Sequence, residues 1–325
     1  MNVSVALCTH NGGEHVEEQV WSILHQTVRP AQIVLSDDAS ADETVAMVRS
    51  IMASPEARGI TLTVLENPVP LGVTANFEQA VRACTSELIA LCDQDDSWHP
   101  ERLSRAIAQF ETRPSLDLLF TNARLVDDVG DPLDGTLFAV LEVGERELRQ
   151  VSSGDGLGLF IRRNVATGAT VTFRRRLLDA ALPFAPSWVH DGWLATLAAA
   201  IGEIDALDEN LIDYRQHASN QIGVAYPTLR RKVARTLAAR GDRNARIAAM
   251  FEQLAGRILA VAPDDAALIA AVSAKADFEA RREALPSFIL ARIMPIVRMA
   301  ARGLYSRFAS QGRIDVIRDL LQPHR

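Results

Sequence analysis

A chain of 325 residues has room for one large domain with an extension, or for two domains. Hydrophobic residues make up 48% and charged residues 23%, which excludes a disordered or low-complexity polymer. The net charge of −7 conceals a split: 18 Lys and Arg face 9 Asp and Glu from Leu229 onward, against 16 and 32 before it, so an acidic body precedes a basic tail.

Val3–Leu7 is apolar and β-prone, consistent with a buried strand. The loop Cys8-Thr9-His10-Asn11-Gly12-Gly13 follows, and Val16, Val20, Ile23 and Leu24 then recur at helical spacing from about Glu14 to Gln26. Gln32–Leu35 is a second expected strand ending in Ser36-Asp37-Asp38-Ala39-Ser40, where Ser40 and Glu43 have the spacing of a capping box. Thr61–Leu65 alternates as a third strand, and Phe77, Ala80, Val81 and Cys84 mark one helix face. Leu88–Leu91 is the fourth strand. It stops at Asp93-Gln94-Asp95-Asp96, three carboxylates in four residues.

Carboxylates this close repel one another unless a cation intervenes, and hard oxygen ligands suit Mg²⁺ or Mn²⁺. The alternative is a solvated acidic turn. Strand–helix alternation predicts a mostly parallel sheet covered on both faces, with ligands beyond the carboxyl ends of its strands. Thr9–Gly13, Ser36–Ser40 and Asp93–Asp96 all fall at such ends. Neither a G-x-G-x-x-G nor a G-x-x-x-x-G-K-[ST] loop is present, so no glycine cradle for phosphate is expected.

Further on, Leu116–Phe120 and Val165–Phe173 are expected strands, Asp127–Gly135 a hairpin turn or solvated loop, and Arg174-Arg175-Arg176 an exposed helix start. Asp191, between Trp188 and Trp193, fits a general base or a helix N-cap equally well. Ile204–Leu207 and Leu211–Tyr214 are expected as a closing pair of strands. His217 suits a metal or phosphate contact, although a lone loop histidine is more often a surface residue.

Ala6-Leu7-Cys8-Thr9-His10-Asn11-Gly12, Leu35-Ser36-Asp37-Asp38, Leu71-Gly72, Cys92-Asp93-Gln94-Asp95-Asp96, Gly168, His190-Asp191 and Tyr214-Arg215-Gln216-His217 occur in an order that resembles the inverting glycosyltransferases of family 2. The likeness runs from Val3 to about Gly223, and its Asp-Gln-Asp-Asp, His-Asp and Tyr-Arg-Gln-His combination is most similar to a bacterial rhamnosyltransferase-like branch acting in surface polysaccharide assembly. It implies a GT-A catalytic domain over 1–227 and a helical extension over 228–325. It also implies a nucleotide-sugar donor, a saccharide or polyprenyl-linked acceptor, and Mg²⁺ or Mn²⁺. Thr9 and Asn11 would line the nucleotide pocket and Asp38 would bind the base. The Asp93–Asp96 cluster would touch the ribose and hold the metal on the donor diphosphate, with Asp93 and Asp95 binding the donor, Asp95 the main metal ligand and Asp96 and His217 further ones. Asp191 would take the acceptor proton. Pro70 departs from the pattern, since relatives often carry Asn before Leu-Gly. A non-catalytic nucleotide-sugar-binding subunit is the competing expectation.

In the tail, Phe288, Ile289, Ile293, Ile296, Val297 and Met299 alternate with Arg292, Arg298, Arg302 and Arg307. This suits a basic membrane-surface helix or an extension packed on the catalytic domain or on a homodimer partner. Few aromatics and no recognisable module argue against nucleic acid. Cys8, Cys84 and Cys92 are read as free thiols. No basic segment precedes an apolar core at the start, so a cytoplasmic protein is expected, with the tail a route to peripheral membrane contact.

Overall fold

The computed structural model describes residues 1–216 and 241–323. Two compact units emerge, Met1–Gly156 with Val165–Val224, and Leu157–Asn164 with Ala225–Arg325. The sequence-based boundary at 227/228 lies outside the described residues.

The first unit begins with β1 (Val3–Thr9), α1 (Val16–Leu24), β2 (Gln32–Asp37), α2 (Thr44–Met52), β3 (Thr61–Glu66), α3 (Val73–Ala83) and β4 (Leu88–Cys92). β1 pairs in parallel with β2 and β4, and β2 with β3. Every residue of β1, β2 and β4 is buried, which is why these strands read as unbroken apolar runs rather than alternating ones. Val3, Val5, Leu7, Ile33 and Leu35 pack with Val20 and Ile23 of α1 and Val48 of α2. On the opposite face Ser36 Oγ donates to Asn76 Oδ1 of α3 at 2.7 Å, and Gln32 Nε2 donates to Ala83 O at 3.1 Å.

Next come β5 (Ser97–Trp98), α4 (Arg102–Thr112), β6 (Leu116–Val126), β7 (Pro132–Thr136), α5 (Leu137–Val140), α6 (Glu145–Ser152), α7 (Gly156–Phe160), β8 (Thr172–Arg174), α8 (Leu178–Ala181), α9 (His190–Ile201) and β9 (Glu203–Arg215). Among the described residues the sheet has nine strands in the order β3-β2-β1-β4-β8-β6-β9-β5, with β7 beside β6. Its first half is parallel. The second half is mixed, since β8 runs antiparallel to β4 and β6, and β5 antiparallel to β9. Through that last pairing, Ser97 and Trp98 bind the acidic turn to Asp213 and Ile212 near the end of β9.

Several local expectations are corrected. Ser40 does not cap α2: Glu43 occupies the N-cap without a side-chain bond, while Ser40 Oγ donates to Asp37 Oδ1 at 2.6 Å. The expected closing pair is one strand, β9, whose register with β6 shifts between Leu207 and Asn210. Val165–Phe173 contains a 3₁₀ turn at Gly168–Thr170 before β8 begins. Arg174 is buried and donates to Leu116 O, Phe110 O and Glu87, so only its neighbours Arg175 and Arg176 are exposed. The three cysteines are free, as expected, and buried.

The second unit contains α7 beyond Gly156, then α10 (Arg243–Val261), α11 (Ala266–Glu283), α12 (Ile289–Ala301), α13 (Leu304–Phe308) and α14 (Ile314–Leu321). α10 packs on α11, and α12 packs on α13 and α14. Phe251, Leu254, Ile258, Val272, Phe278, Tyr305 and Phe308 are buried. So is a charged network. Lys275 Nζ donates to Phe308 O and Glu279, and Arg282 donates to both Asp319 oxygens at 2.7 and 2.9 Å. Arg292 also turns inward, donating to Gln322 O, Pro286 O and Ser287 O. Among the described residues no helix is long and apolar enough to cross a membrane.

Candidate active site

The turn after β4 gives its three carboxylates different surroundings. Asp96 is 1% exposed, and its Oδ1 accepts the Arg215 N–H at 3.0 Å while Oδ2 has no partner. Asp93 and Asp95 are only half-buried. Burial, then the charges of Asp95 and Asp191, push the Asp93 carboxyl up to about 7. Burial, then Asp95 and Asp93, raise Asp96 well above the carboxylate range. Two guanidiniums stand behind this turn. Arg102 is stacked on Trp98 at 3.5 Å from the ring centroid, and its Nη2 donates to Leu91 O and Ala169 O. Its Nε and Nη1 have no partner, and burial lowers its pKa to about 10. Arg215 donates to Asp95 O, Asp128 O and Glu18 Oε2 at 2.8, 2.8 and 2.7 Å, fastening the turn to the β6–β7 hairpin and to α1.

The loops after β1 and β2 are held just as closely. Thr9 is buried and donates to Asp37 Oδ1 at 2.6 Å. Asn11 is exposed at a φ of 50°, and its Oδ1 accepts the Ala41 N–H. Asp38 is buried, with one oxygen accepting from Leu71 N at 2.6 Å and the other from Gly72 N at 2.9 Å. Gln94 bridges back to the first loop: it accepts from His10 N at 2.7 Å and donates to His10 O at 3.1 Å. A Cβ on Gly12 would lie 2.4 Å from Gln94 Oε1, so the glycine is what lets these loops meet.

Asp191 lies in the first turn of α9, behind the N-cap Val189, so the N-cap alternative is excluded. Asp191 Oδ2 accepts the Gly168 N–H at 3.1 Å and Oδ1 accepts the Gly192 N–H. His190 beside it is buried and stacked on Phe77, with ring centroids 3.8 Å apart. Neither ring nitrogen has a partner, and burial depresses its pKa to about 3. A Cβ on Gly168 would come within 2.7 Å of His190 Nε2. Tyr214 connects the two halves. Burial, then the charges of Asp96, Asp93, Asp95 and Asp191, push its phenol far above the usual range. The start of α9 and the acidic turn are tied through Gly168, which holds Asp191, and Ala169, whose carbonyl shares Arg102 Nη2 with Leu91 O.

Among the described residues, no three His, Cys, Asp or Glu side chains converge tightly enough to hold an ion by themselves. Mg²⁺ characteristically uses one or two carboxylates and completes its shell with phosphate oxygens and water. Asp93 and Asp95 are half-buried, whereas Asp96 turns inward. His217 lies outside the described residues. Sequence reasoning missed Arg102 and Gln94. One signal for Arg102 was available, since a cation at a helix start opposes the helix dipole and needs another reason to be there.

Parallel β1, β2 and β4 delivering loops to an acidic turn, closed by a mixed half-sheet, define a GT-A fold. Residues 4–177 match the family model for glycosyl transferase family 2, and the chain belongs to that family. It is 26% identical over 234 residues to an uncharacterized glycosyltransferase of Nostoc, a match covering 68% of this chain and 66% of that one. An uncharacterized Mycobacterium bovis protein is 29% identical over 233 residues, covering 71% and 63%. The chain thus spans just under two thirds of the length of these relatives. Among solved structures, Staphylococcus aureus TarS with UDP-GlcNAc superposes with a TM-score of 0.60 at 17% identity, covering 99% of this chain and 90% of that one. A Pyrobaculum calidifontis mannosyltransferase with GDP-Man and Mn²⁺ gives 0.52 at 19% identity, covering 98% and 85%. These likenesses show the fold.

Proposed function

We propose that this chain transfers a sugar from a nucleotide-diphosphate donor to a hydroxyl of a saccharide or lipid-linked acceptor in polysaccharide assembly, with inversion at the anomeric carbon. The observation that supports this reading is geometric: the Gly168 N–H holds Asp191, and the next carbonyl, Ala169 O, shares Arg102 Nη2 with Leu91 O just before the acidic turn. A base and a charge-binding turn held together are what a single displacement requires. Structural neighbours that bind UDP-GlcNAc and GDP-Man make a nucleotide sugar the natural donor class. A rhamnosyl donor rests on the combination of Asp93–Asp96, His190-Asp191 and Tyr214–His217 in the sequence alone.

In this reading Asp191, held by the Gly168 N–H, removes the acceptor hydroxyl proton. The acceptor oxygen bonds to the anomeric carbon as the bond to the diphosphate breaks on the opposite side. The products are the glycoside, the nucleoside diphosphate and a proton on Asp191. Asp95, with Asp93, would hold Mg²⁺ or Mn²⁺, which supplies positive charge to the departing diphosphate. Thr9, Asn11 and Asp38 shape the donor pocket through the loops they fix. Asp191→Asn keeps the shape and loses the base, so turnover of a UDP-, dTDP- or GDP-sugar should fall by about 10²–10⁴-fold. The donor-induced rise in melting temperature should persist. Turnover unchanged in Asp191→Asn would refute the assignment.

A further inference from the structure

Among the described residues, the second unit has a surface that its fold leaves uncovered. In α12, Arg292, Ile296 and Met299 are buried, so the two faces expected from the sequence are reassigned: Ile296 and Met299 face the core, and Arg292 donates to main-chain oxygens. The outward face instead carries Ile289, Leu290, Ile293, Met294 and Val297, preceded by Phe288. Their spacing places them along one helical stripe. Phe288 and Leu290 are each 65% exposed and Met294 58%. On the neighbouring α14, Ile314, Ile317 and Leu321 form a second exposed stripe at i, i+3 and i+7. Scattered exposed apolar residues need no explanation, but two adjoining helices with such stripes do.

The charge pattern identifies the kind of surface that would cover them. From Pro286 to Pro323 the sequence has two acidic residues, Asp315 and Asp319, and both are 0% exposed. Asp319 is held by Arg282 and Tyr305, and Asp315 accepts the Gln311 N–H. Arg298, Arg302, Arg307 and Arg313 are exposed. The segment therefore presents to water apolar side chains and positive charge with no exposed carboxylate. A second copy of the same face would bring arginines against arginines.

We infer that α12 and α14 form a docking surface for an anionic lipid bilayer, with the apolar stripes at the headgroup–acyl boundary and the arginines among lipid phosphates. On the glycosyltransfer reading this would bring the enzyme to lipid-linked acceptors, but the surface is testable without that reading. The full chain should sediment with phosphatidylglycerol-containing vesicles, weakly with phosphatidylcholine alone, and less at high salt. Ile293→Asp with Met294→Asp should reduce sedimentation about tenfold or more. Both residues are exposed, so the melting temperature and donor turnover in vesicle-free solution should be retained. Arg298→Glu with Arg302→Glu should remove the preference for anionic lipid and serves as the second variant should the first not fold. Sedimentation equal in all variants, or absent in the parent, would overturn the inference. So would a lipid-free dimer dissolved by Ile293→Asp with Met294→Asp. A chain that sediments but transfers no sugar would refute the proposed function and leave this surface standing.

Discussion

His190 should make the first unit lose stability in mild acid, by an amount set by one proton. The ring is 4% exposed, stacked on Phe77, with both nitrogens unpartnered, and burial takes its pKa from 6.5 to about 3. Between those values the unfolded chain binds a proton that the folded chain refuses. This contribution is therefore present above the unfolded value and is lost as pH falls through it. From pH 7 to pH 5 the loss is about 2 kcal/mol. Asp93 and Asp96 act in the opposite sense: their raised carboxyls keep protons in the folded state, so their contribution is present in acid and lost as pH rises toward 7. The diagnostic quantity is therefore the gap between the parent and His190→Leu, which removes the imidazole and leaves both carboxyls in place. Urea unfolding in metal-free buffer at pH 7, 6 and 5 measures it. Tryptophan fluorescence is the probe, because Trp21, Trp98, Trp188 and Trp193 all lie in the first unit. The variant should gain about 2 kcal/mol on the parent over this range. Parallel curves would mean that His190 titrates freely in the folded protein, and the sealed-ring argument would fail.

Gly168→Ala places a Cβ 2.7 Å from His190 Nε2 and 3.7 Å from Asp191 Cβ. It should cost about 1–3 kcal/mol in urea unfolding and, by shifting the amide that holds Asp191, slow turnover about tenfold or more. Arg215→Met removes the bonds to Asp95 O, Asp128 O and Glu18. Leaving those oxygens without their charged donor should cost about 2–4 kcal/mol. It should also weaken the melting shift produced by donor with Mn²⁺ more than it affects any metal-free donor shift. Equal loss of both would make Arg215 a general fold support rather than a support of the acidic turn.

The parallel half of the fold was legible because its strands are buried on both faces and its helices on one. Val3–Leu7, Gln32–Leu35 and Leu88–Leu91 thus stood out as apolar runs between helical periodicities. The second half was less legible because its signals are tertiary. The bulge that carries β9 past Asp208 and Glu209 depends on pairing with β6, which lies far away in the sequence. Arg174 is buried only because carbonyls of Phe110 and Leu116 point at it. Three acids in four residues announced a charged site, but not that Asp96 would bond to the main chain of β9. Ser40 shows the reverse failure, since correct capping-box spacing was overridden by Asp37 and Asn11 competing for the hydroxyl.

The acidic turn also shows how a protein can gather carboxylates without cancelling them. Arg102 is close enough to influence Cys92, Asp96 and Asp93 electrostatically, yet its Nη2 donates to carbonyls and its other two nitrogens have no partner. It therefore screens the turn through space instead of closing an ion pair with it. Arg215 grips the turn by the Asp95 carbonyl and, through its own N–H, by Asp96 Oδ1. The turn is rigid on its inner side, while Asp93 and Asp95 stay half-buried at its outer edge. Through-space screening lowers the cost of assembling three carboxylates in one turn. On the proposed function, cation and donor would then each raise the other's affinity, because each supplies part of the charge balance the other needs.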